Sequence, residues 1–408
     1  MATTLAQEYL TLPLDPNAGK NRAVAQQCLR DPAYYAANKA KFDEYFNNFM
    51  FPSMTRTEPD KLGDVGKVRD DLFKYFILKA TDPQLQHDLT ELTFKSMAKI
   101  VGAQNPPCHP AARYNAILIL GQLDDSYAAP EKPSLQANKA LIAVVDSATT
   151  ANRFSPAVIL GAIIGLERHA QLKDTLPPES VNAMRAALLK LVTHADPIQE
   201  MDRDAYSWLR LRAASALARM GSVGEKNAVH DAIVKLAATN KSLDDRCAAL
   251  ALLEKINYKD VKLDDSATLE PIFALARDVA AAEDKRADTF QDQGGGAGGF
   301  VPGRSFEPGG VTTGGSTYDP NAYPRRQTLA RLSSIKTGLT TVKGGVSPDG
   351  QKKVDAVLAA ITPVINAAAG KDTDLTLAQA IHTMTAAINT AIPGPVKAED
   401  KAKDATVF

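Results

Sequence analysis

The chain has 408 residues, 45% of them hydrophobic and 6% aromatic, which is enough apolar material for more than one buried core. Its 47 Lys and Arg residues balance 47 Asp and Glu residues, so no nucleic-acid partner is expected, because a surface for phosphate backbones needs clustered positive charge. The three cysteines stand far apart without a CxxC pair, and this spacing excludes a zinc site built from cysteine pairs.

The first residues lack the basic start and the apolar stretch of a signal peptide, and no run of about 18 apolar residues follows anywhere in the chain. We therefore expect a cytoplasmic chain without a membrane span. An exported chain from which a signal had been removed would show the same sequence.

Residues 1–63 are predicted to form an irregular segment and a helical cap. A helix that begins at about residue 34 would place Phe42, Tyr45, Phe46 and Phe49 at three- and four-residue steps. This aromatic stripe would cover the first of the helical repeats that follow, because a terminal repeat has no neighbour on one side. An exposed aromatic docking patch is the alternative.

Residues 64–285 are predicted to be a series of about ten helices in five antiparallel pairs. Two of the helix starts are marked by Asp82-Pro83 and Ser155-Pro156, and Gly121 stands where a C-terminal turn is needed. No run alternates between apolar and polar residues in the manner of a strand. The pattern predicts an all-α fold.

A short phrase recurs in this region. It is a helix rich in Ala and Leu that begins at a polar or Pro-marked corner and carries an Arg early. Its three clearest copies are Pro110–Gly121, Leu209–Gly221 and Asp244–Leu253, and Ser155–Leu166 is a weaker copy without the Arg. Recurrence at a period of tens of residues is typical of a solenoid.

The recurring unit resembles the HEAT and HEAT-like (armadillo-type) repeats of α-solenoids. The resemblance covers residues 64 to about 282, and the last two arginines of the phrase are 34 residues apart, the length of one helical hairpin. Asp245 keeps the Asp that the family usually places before the Arg, whereas His109 and Pro110 stand before Arg113. The resemblance implies a curved stack of about five hairpins that binds proteins on its concave or convex face.

The arginines of the phrase are Arg113, Arg212 and Arg246. Near a helix start, each would pack its stem over the neighbouring helix and place its head at a carboxylate or carbonyl of another repeat, as a structural ladder. Anion binding is the alternative role. Tyr206 and the single Trp, Trp208, lie beside Arg212, and these three residues are the candidate groove site of an enzyme or cofactor binder.

The motifs of the common enzyme classes are absent from the sequence. The six His residues form no HExxH pair, and there is no GxSxG elbow, no dinucleotide-binding glycine fingerprint and no phosphate-binding loop. We therefore expect no catalytic residues, no cofactor and no metal.

Residues 286–323 change to a Gly-rich composition and are predicted to be a flexible linker. Residues 324–395 are predicted to form a small C-terminal bundle of three amphipathic helices, the second of them kinked at Pro363. The residues from 396 to 408 are predicted to be a charged tail.

The first helix of this predicted bundle is basic. No acidic residue lies between Asp319 and Asp349, where the sequence has Arg325, Arg326, Arg331, Lys336 and Lys343. Together with an apolar face over 329–339, this pattern is typical of a helix that lies on an anionic membrane or in a partner's groove. The alternative is a helix whose apolar face packs in the bundle and whose basic face is solvated.

These observations favour a non-enzymatic scaffold for protein–protein interaction, with a protein partner that the sequence does not identify. A peripheral membrane or envelope-associated protein that uses the basic helix is one alternative. A HEAT-like enzyme or cofactor binder with a site near Trp208 is the other. The oligomeric state stays open, because zero net charge permits self-association without establishing it.

Limited proteolysis tests the predicted linker. Because Gly-rich segments are preferred sites of nicking, we expect the first cut between Gly294 and Ser316. Mass spectrometry of the early fragments checks the position. First cuts inside residues 64–285 would contradict the predicted organisation.

Overall fold

The structure is a computed structural model that describes residues 8–151, 153–199, 201–294, 322–370 and 374–393. Within these residues the chain is mostly helical with almost no strand, which confirms the predicted all-α class. Most of the predicted linker, residues 295–321, and the whole of the predicted tail lie outside the described residues. The chain divides into two compact units, Met1–Gly221 and Ser222–Phe408. The boundaries of the cap, the repeats, the linker and the bundle that the sequence indicated stay predictions.

The first unit begins with the helices α1 to α4, of which α2 is the longest. Their bounds are Arg22–Cys28, Pro32–Tyr45, Phe51–Ser53 and Pro59–Leu62. The helices α5 to α11 follow at Val65–Tyr75, Pro83–Gly102, Pro110–Leu120, Leu135–Ser147, Pro156–Gln171, Pro178–Thr193 and Arg203–Arg219. Several of them begin with proline, which fits the first helical position because that position needs no N–H donor.

The aromatic residues of the N-terminal segment are packed against the rest of the unit. Phe42, Tyr45 and Phe46 have at most 2% of their surface exposed. The rings of Tyr45 and Phe46 lie 5.5 and 5.2 Å from the ring of Phe76, which directly follows α5. These side chains therefore form part of the core and do not make an exposed docking patch.

The helices α5 to α11 are ordered in two rows. The helices α6, α8 and α10 form one row, and α5, α7, α9 and α11 form the other, with each helix contacting the next in its row. The pairs α6–α7, α8–α9 and α10–α11 pack side by side as hairpins. Each of the helices α6 to α9 is thus covered by its hairpin partner and by the helix one hairpin later.

Hydrogen bonds along the rows join residues at a nearly constant separation. Six of the bonded pairs stand 44 to 49 residues apart, namely Arg69–Asn115, Glu91–Gln136, Gln104–Arg153, Asp146–Lys190, Phe154–Gln199 and Glu167–Arg212. A similar separation at different hairpins indicates that equivalent positions of neighbouring hairpins lie side by side. The unit of this packing is therefore a hairpin of about 45 residues.

A small two-stranded ladder lies between α7 and α8, where the sequence predicted no strand. Strand β1, Asp124–Ser126, pairs antiparallel with β2, Lys132–Pro133. Asp124 is buried, and its two carboxylate oxygens accept hydrogen bonds of 2.8 and 2.6 Å from Arg168. Strands of two or three residues are too short for an alternating pattern to reveal.

The second unit contains the helices α12 to α17. Their bounds are Ala228–Thr239, Leu243–Ala251, Asp265–Gly294, Ala322–Val342, Pro348–Ala369 and Asp374–Ala391. Helix α12 packs on α13 and α14, α15 packs on α13, and α17 packs on α14. The last three helices therefore share one core with α12 to α14. Helix α16 runs through Pro363, where the sequence predicted a kink.

The apolar faces predicted for the last three helices are buried. At most 1% of the surface is exposed at Leu332, Ile335, Leu339, Val354, Val357, Ile361, Leu377, Ile381, Met384 and Ile388. Helix α15 lies close to α13 at Gly338, where a Cβ atom would lie 2.4 Å from Cγ of Leu250. A residue with a side chain has no room at this position.

Replacing Gly338 by Val tests this contact. The added side chain would meet Leu250, so we expect the free energy of unfolding to fall by about 1–3 kcal/mol, as is usual for an overpacked core. Gly344→Val is the matched control, because a Cβ atom at Gly344 would meet nothing within 4 Å. Urea denaturation of the full chain measures both variants, and equal midpoints would contradict the close approach.

Candidate interaction surface on helices α7, α9 and α11

Helices α7 and α9 meet through glycine. A Cβ atom at Gly121 would lie 2.6 Å from Cα of Gly165, and one at Gly161 would lie 2.3 Å from Cγ2 of Ile117. Real Cβ atoms do not approach other atoms this closely, so only glycine permits the spacing. The two helices are thereby close enough to present one continuous surface.

Helices α9 and α11 are joined by Glu167. Its carboxylate accepts hydrogen bonds from Arg212 Nη2 at 2.5 Å, Ser215 Oγ at 2.9 Å and Arg219 Nε at 2.7 Å. The three donors follow one another at three- and four-residue steps, which places them on the side of α11 that faces α9. One acidic side chain therefore holds two turns of the neighbouring helix.

The Glu167 side chain is only 9% exposed. Burial by itself raises the pKa of this carboxyl, but the hydrogen bonds from Arg219 and Ser215 and the charge of Arg212 outweigh it and lower the pKa below its usual value. Glu167 is therefore ionised at neutral pH. Two guanidinium groups share this single negative charge, and their side chains are 36% and 35% exposed.

Six partly exposed apolar side chains occupy the outer side of the same three helices. They are Tyr114 and Leu118 on α7, Leu160 and Ile164 on α9, and Trp208 and Leu211 on α11. We call these six residues the α7–α9–α11 face. Successive members of the sets Tyr114, Leu160, Trp208 and Leu118, Ile164, Leu211 are 46 to 48 residues apart, close to the separation of residues that bond along the row. The face therefore consists of two lines that cross the three helices.

Trp208 is the most exposed residue of the face, at 46%. Tyr206, which the sequence placed beside it, is buried, and its hydroxyl donates a hydrogen bond of 3.1 Å to the His194 carbonyl. Burial raises the pKa of Tyr206 to about 12. The structure therefore brings Trp208 and Arg212 to one side of α11 and turns Tyr206 into the core.

Two of the predicted arginines bond a carbonyl in the last turn of the preceding helix. Arg113 is buried and donates to the Val101 carbonyl from Nε at 3.1 Å and from Nη2 at 3.0 Å. Arg246 donates from Nε to the Ala237 carbonyl at 2.8 Å and from Nη1 to Asp278 at 2.8 Å. Both contacts satisfy carbonyl groups that a helix end leaves without an intrahelical partner.

In α11 the equivalent contact comes from Arg210, which the sequence analysis did not single out. Its Nε donates at 2.8 Å to the carbonyl of Val192, in the last turn of α10, and 9% of the residue is exposed. Arg212 bonds Glu167 on the other side of the helix. Two arginines stand two residues apart in this phrase, and the phrase alone does not say which one faces the core.

The predicted basic helix corresponds to α15 and to Lys343 directly after it, and Arg331 and Lys343 bond carboxylates of the second unit. Arg331 donates to Asp244 at 2.6 Å and to Glu283 at 2.9 Å, and Lys343 donates to Asp355 at 2.6 Å.

Of the other basic residues, Lys336 and Arg326 are exposed and Arg325 is partly exposed. The face over 329–339 that would enter a membrane is largely buried. No described helix is long and apolar enough to cross a membrane.

The remaining reactive side chains of the described residues are buried or dispersed. The three cysteines are buried, and burial raises the pKa of Cys247 to about 12. Burial lowers the pKa of His230 to about 4, and its two ring nitrogens bond Tyr258 and Thr268. Among the described residues, no group of three His, Cys, Asp or Glu is placed to hold a metal ion.

The pair Arg210 and Arg212 provides a test of the inter-helix contacts. Arg210→Met removes the donor to a buried carbonyl, and we expect it to lower the free energy of unfolding by about 1–3 kcal/mol. Arg212→Met removes a partly exposed ion pair, so we expect a loss below about 1 kcal/mol. Chemical denaturation measures both. The reverse order would show that Arg212 carries the structural contact.

No family model, no curated protein and no solved structure matches the chain. The comparison with HEAT-like repeats therefore depends on the residues of the recurring phrase and on the packing of the helices.

Proposed function

We propose that the chain is a HEAT-like α-solenoid that acts as a non-enzymatic scaffold and binds a protein partner on the α7–α9–α11 face. The two rows of helices in the first unit and the hairpin period of about 45 residues support the repeat architecture. The recurring arginines at inter-helix contacts support it as well.

The observation that carries the proposed function is the α7–α9–α11 face itself. Its six apolar side chains lie on three adjacent helices and remain partly exposed to solvent. Apolar side chains that are exposed together on adjacent helices of a folded unit are typical of an interaction site, whereas single exposed apolar residues are ordinary. Trp208 adds a large aromatic side chain of the kind that contributes most to protein interfaces.

The two alternative functions have less support. Membrane binding through α15 would require Leu332, Ile335 and Leu339 to leave the core of the second unit, where they are fully buried. An enzyme or cofactor site near Trp208 would use Tyr206, Trp208 and Arg212 together, but Tyr206 is buried on another side of the helix. Protein binding is therefore the function that we propose.

Site-specific photo-cross-linking tests the proposed surface. A benzoylphenylalanine at Ile164, in the α7–α9–α11 face, is expected to capture a protein from native lysate. The same residue at Ala186, exposed on α10 in the other row, is expected to capture none. Trp208→Ser in the Ile164 protein should reduce the adduct several-fold, because it removes the largest apolar contact.

Leu78→Ser is the matched control for this substitution, because Leu78 is 56% exposed elsewhere in the first unit. It should leave the adduct unchanged. Equal adducts at positions 164 and 186, or an adduct that does not respond to Trp208→Ser, would contradict the proposal.

A further inference from the structure

We infer that the partner segment bound by the α7–α9–α11 face carries an acidic side chain about one helical turn from an apolar one, and that Arg212 and Arg219 receive this carboxylate. The inference rests on the proposed function and specifies the chemistry of the partner. It follows from the charge and the hydrogen-bonding capacity at the Glu167 cluster, which we define as Glu167, Arg212, Ser215 and Arg219.

The Glu167 cluster has an excess of positive charge. Two guanidinium groups face one carboxylate, and three donors already converge on the two oxygens of that carboxylate. The adjacent Arg168 pairs with two carboxylates, Asp124 and Glu131, so that group carries one net negative charge and the positive excess is confined to Arg212 and Arg219. The cluster therefore favours an additional anion.

The two guanidinium groups also retain hydrogen-bond donors. A guanidinium group carries five N–H donors, and the bonds to Glu167 use one from Arg212 and one from Arg219. About a third of each side chain is exposed, so a ligand can reach these donors. The planar fork of N–H groups matches the two oxygens of a carboxylate, which makes Arg the preferred receptor for that group.

Trp208 places an apolar contact next to these donors. It precedes Arg212 by four residues on α11, so the two side chains are neighbours on one side of the helix. Leu160 and Ile164 extend the apolar surface onto α9, whose Glu167 anchors the cluster. One short segment with an aliphatic or aromatic residue and a nearby Asp or Glu would satisfy both parts of the surface.

A peptide explains these features better than a free anion or a nucleic acid does. A small anion would use the arginines but would leave the apolar side chains in water. A nucleic-acid backbone would need more cationic groups than the cluster offers, and Arg113 and Arg210 are buried against carbonyl groups. The apolar and cationic parts together match an acidic amphipathic segment.

Selection of peptides on the immobilised full chain tests the inference. From a random library of displayed 15-residue peptides, we expect binders with Asp or Glu three or four residues from Leu, Phe or Trp. Because the chain has one Trp, binding should produce a saturable change in Trp208 fluorescence. Replacing the acidic residue of a binder by its amide should weaken binding about tenfold or more.

On the protein side, Arg212→Gln combined with Arg219→Gln should weaken the acidic peptide and leave its amide version unchanged. Arg22→Gln is the matched control, since Arg22 is an exposed arginine paired with Asp71 elsewhere in the unit. If the double variant loses stability, the test remains valid through a comparison of the acidic peptide with its amide version. That comparison uses the unchanged protein.

The outcomes separate this inference from the proposed function. Binders that need Trp208 but neither their own carboxylate nor the two arginines would overturn the inference and leave the interaction surface in place. Inorganic phosphate that alone reproduces the fluorescence change and displaces the peptide would identify a small-anion site and also overturn it. A pool in which no binder depends on Trp208 would overturn the proposed surface as well.

Discussion

Each of the helices α6 to α11 packs on its hairpin partner and on at least one helix of its own row. A single hairpin cannot bury its apolar residues, so stability comes from stacking successive pairs. The contacts along a row therefore have to recur at a fixed separation, and they do so in the bonds from Arg69–Asn115 to Glu167–Arg212. This requirement aligns equivalent positions of α7, α9 and α11, and the aligned positions form the apolar face.

The contacts at helix ends follow from the same requirement. A helix that ends inside the stack leaves carbonyl groups without partners, and a buried carbonyl without a hydrogen bond is costly. Arg113, Arg210 and Arg246 supply these bonds from the following helix of each pair. The arginine is long enough to reach across, and its stem packs on the way.

The sequence indicated the helical class, most helix positions and the buried faces of the last three helices, because these depend on local periodicity and on proline at helix starts. It did not distinguish Arg210 from Arg212, since the packing of α10 and α9 decides which side of α11 each one faces. Nor did it indicate that Arg331 bonds Asp244 and Glu283, which are far from it in sequence. Such contacts depend on tertiary packing that the local pattern does not contain.

The glycines between α7 and α9 have a mechanical consequence. Where two helices touch through side chains, rotamer changes let them slide and accommodate ligands of different shape. At Gly121 and Gly165 the backbones themselves are in contact, so no rotamer is available to absorb a displacement. Helices α7 and α9 should then move as one rigid unit. Any conformational adjustment to a bound molecule has to come from α11 or from the molecule itself.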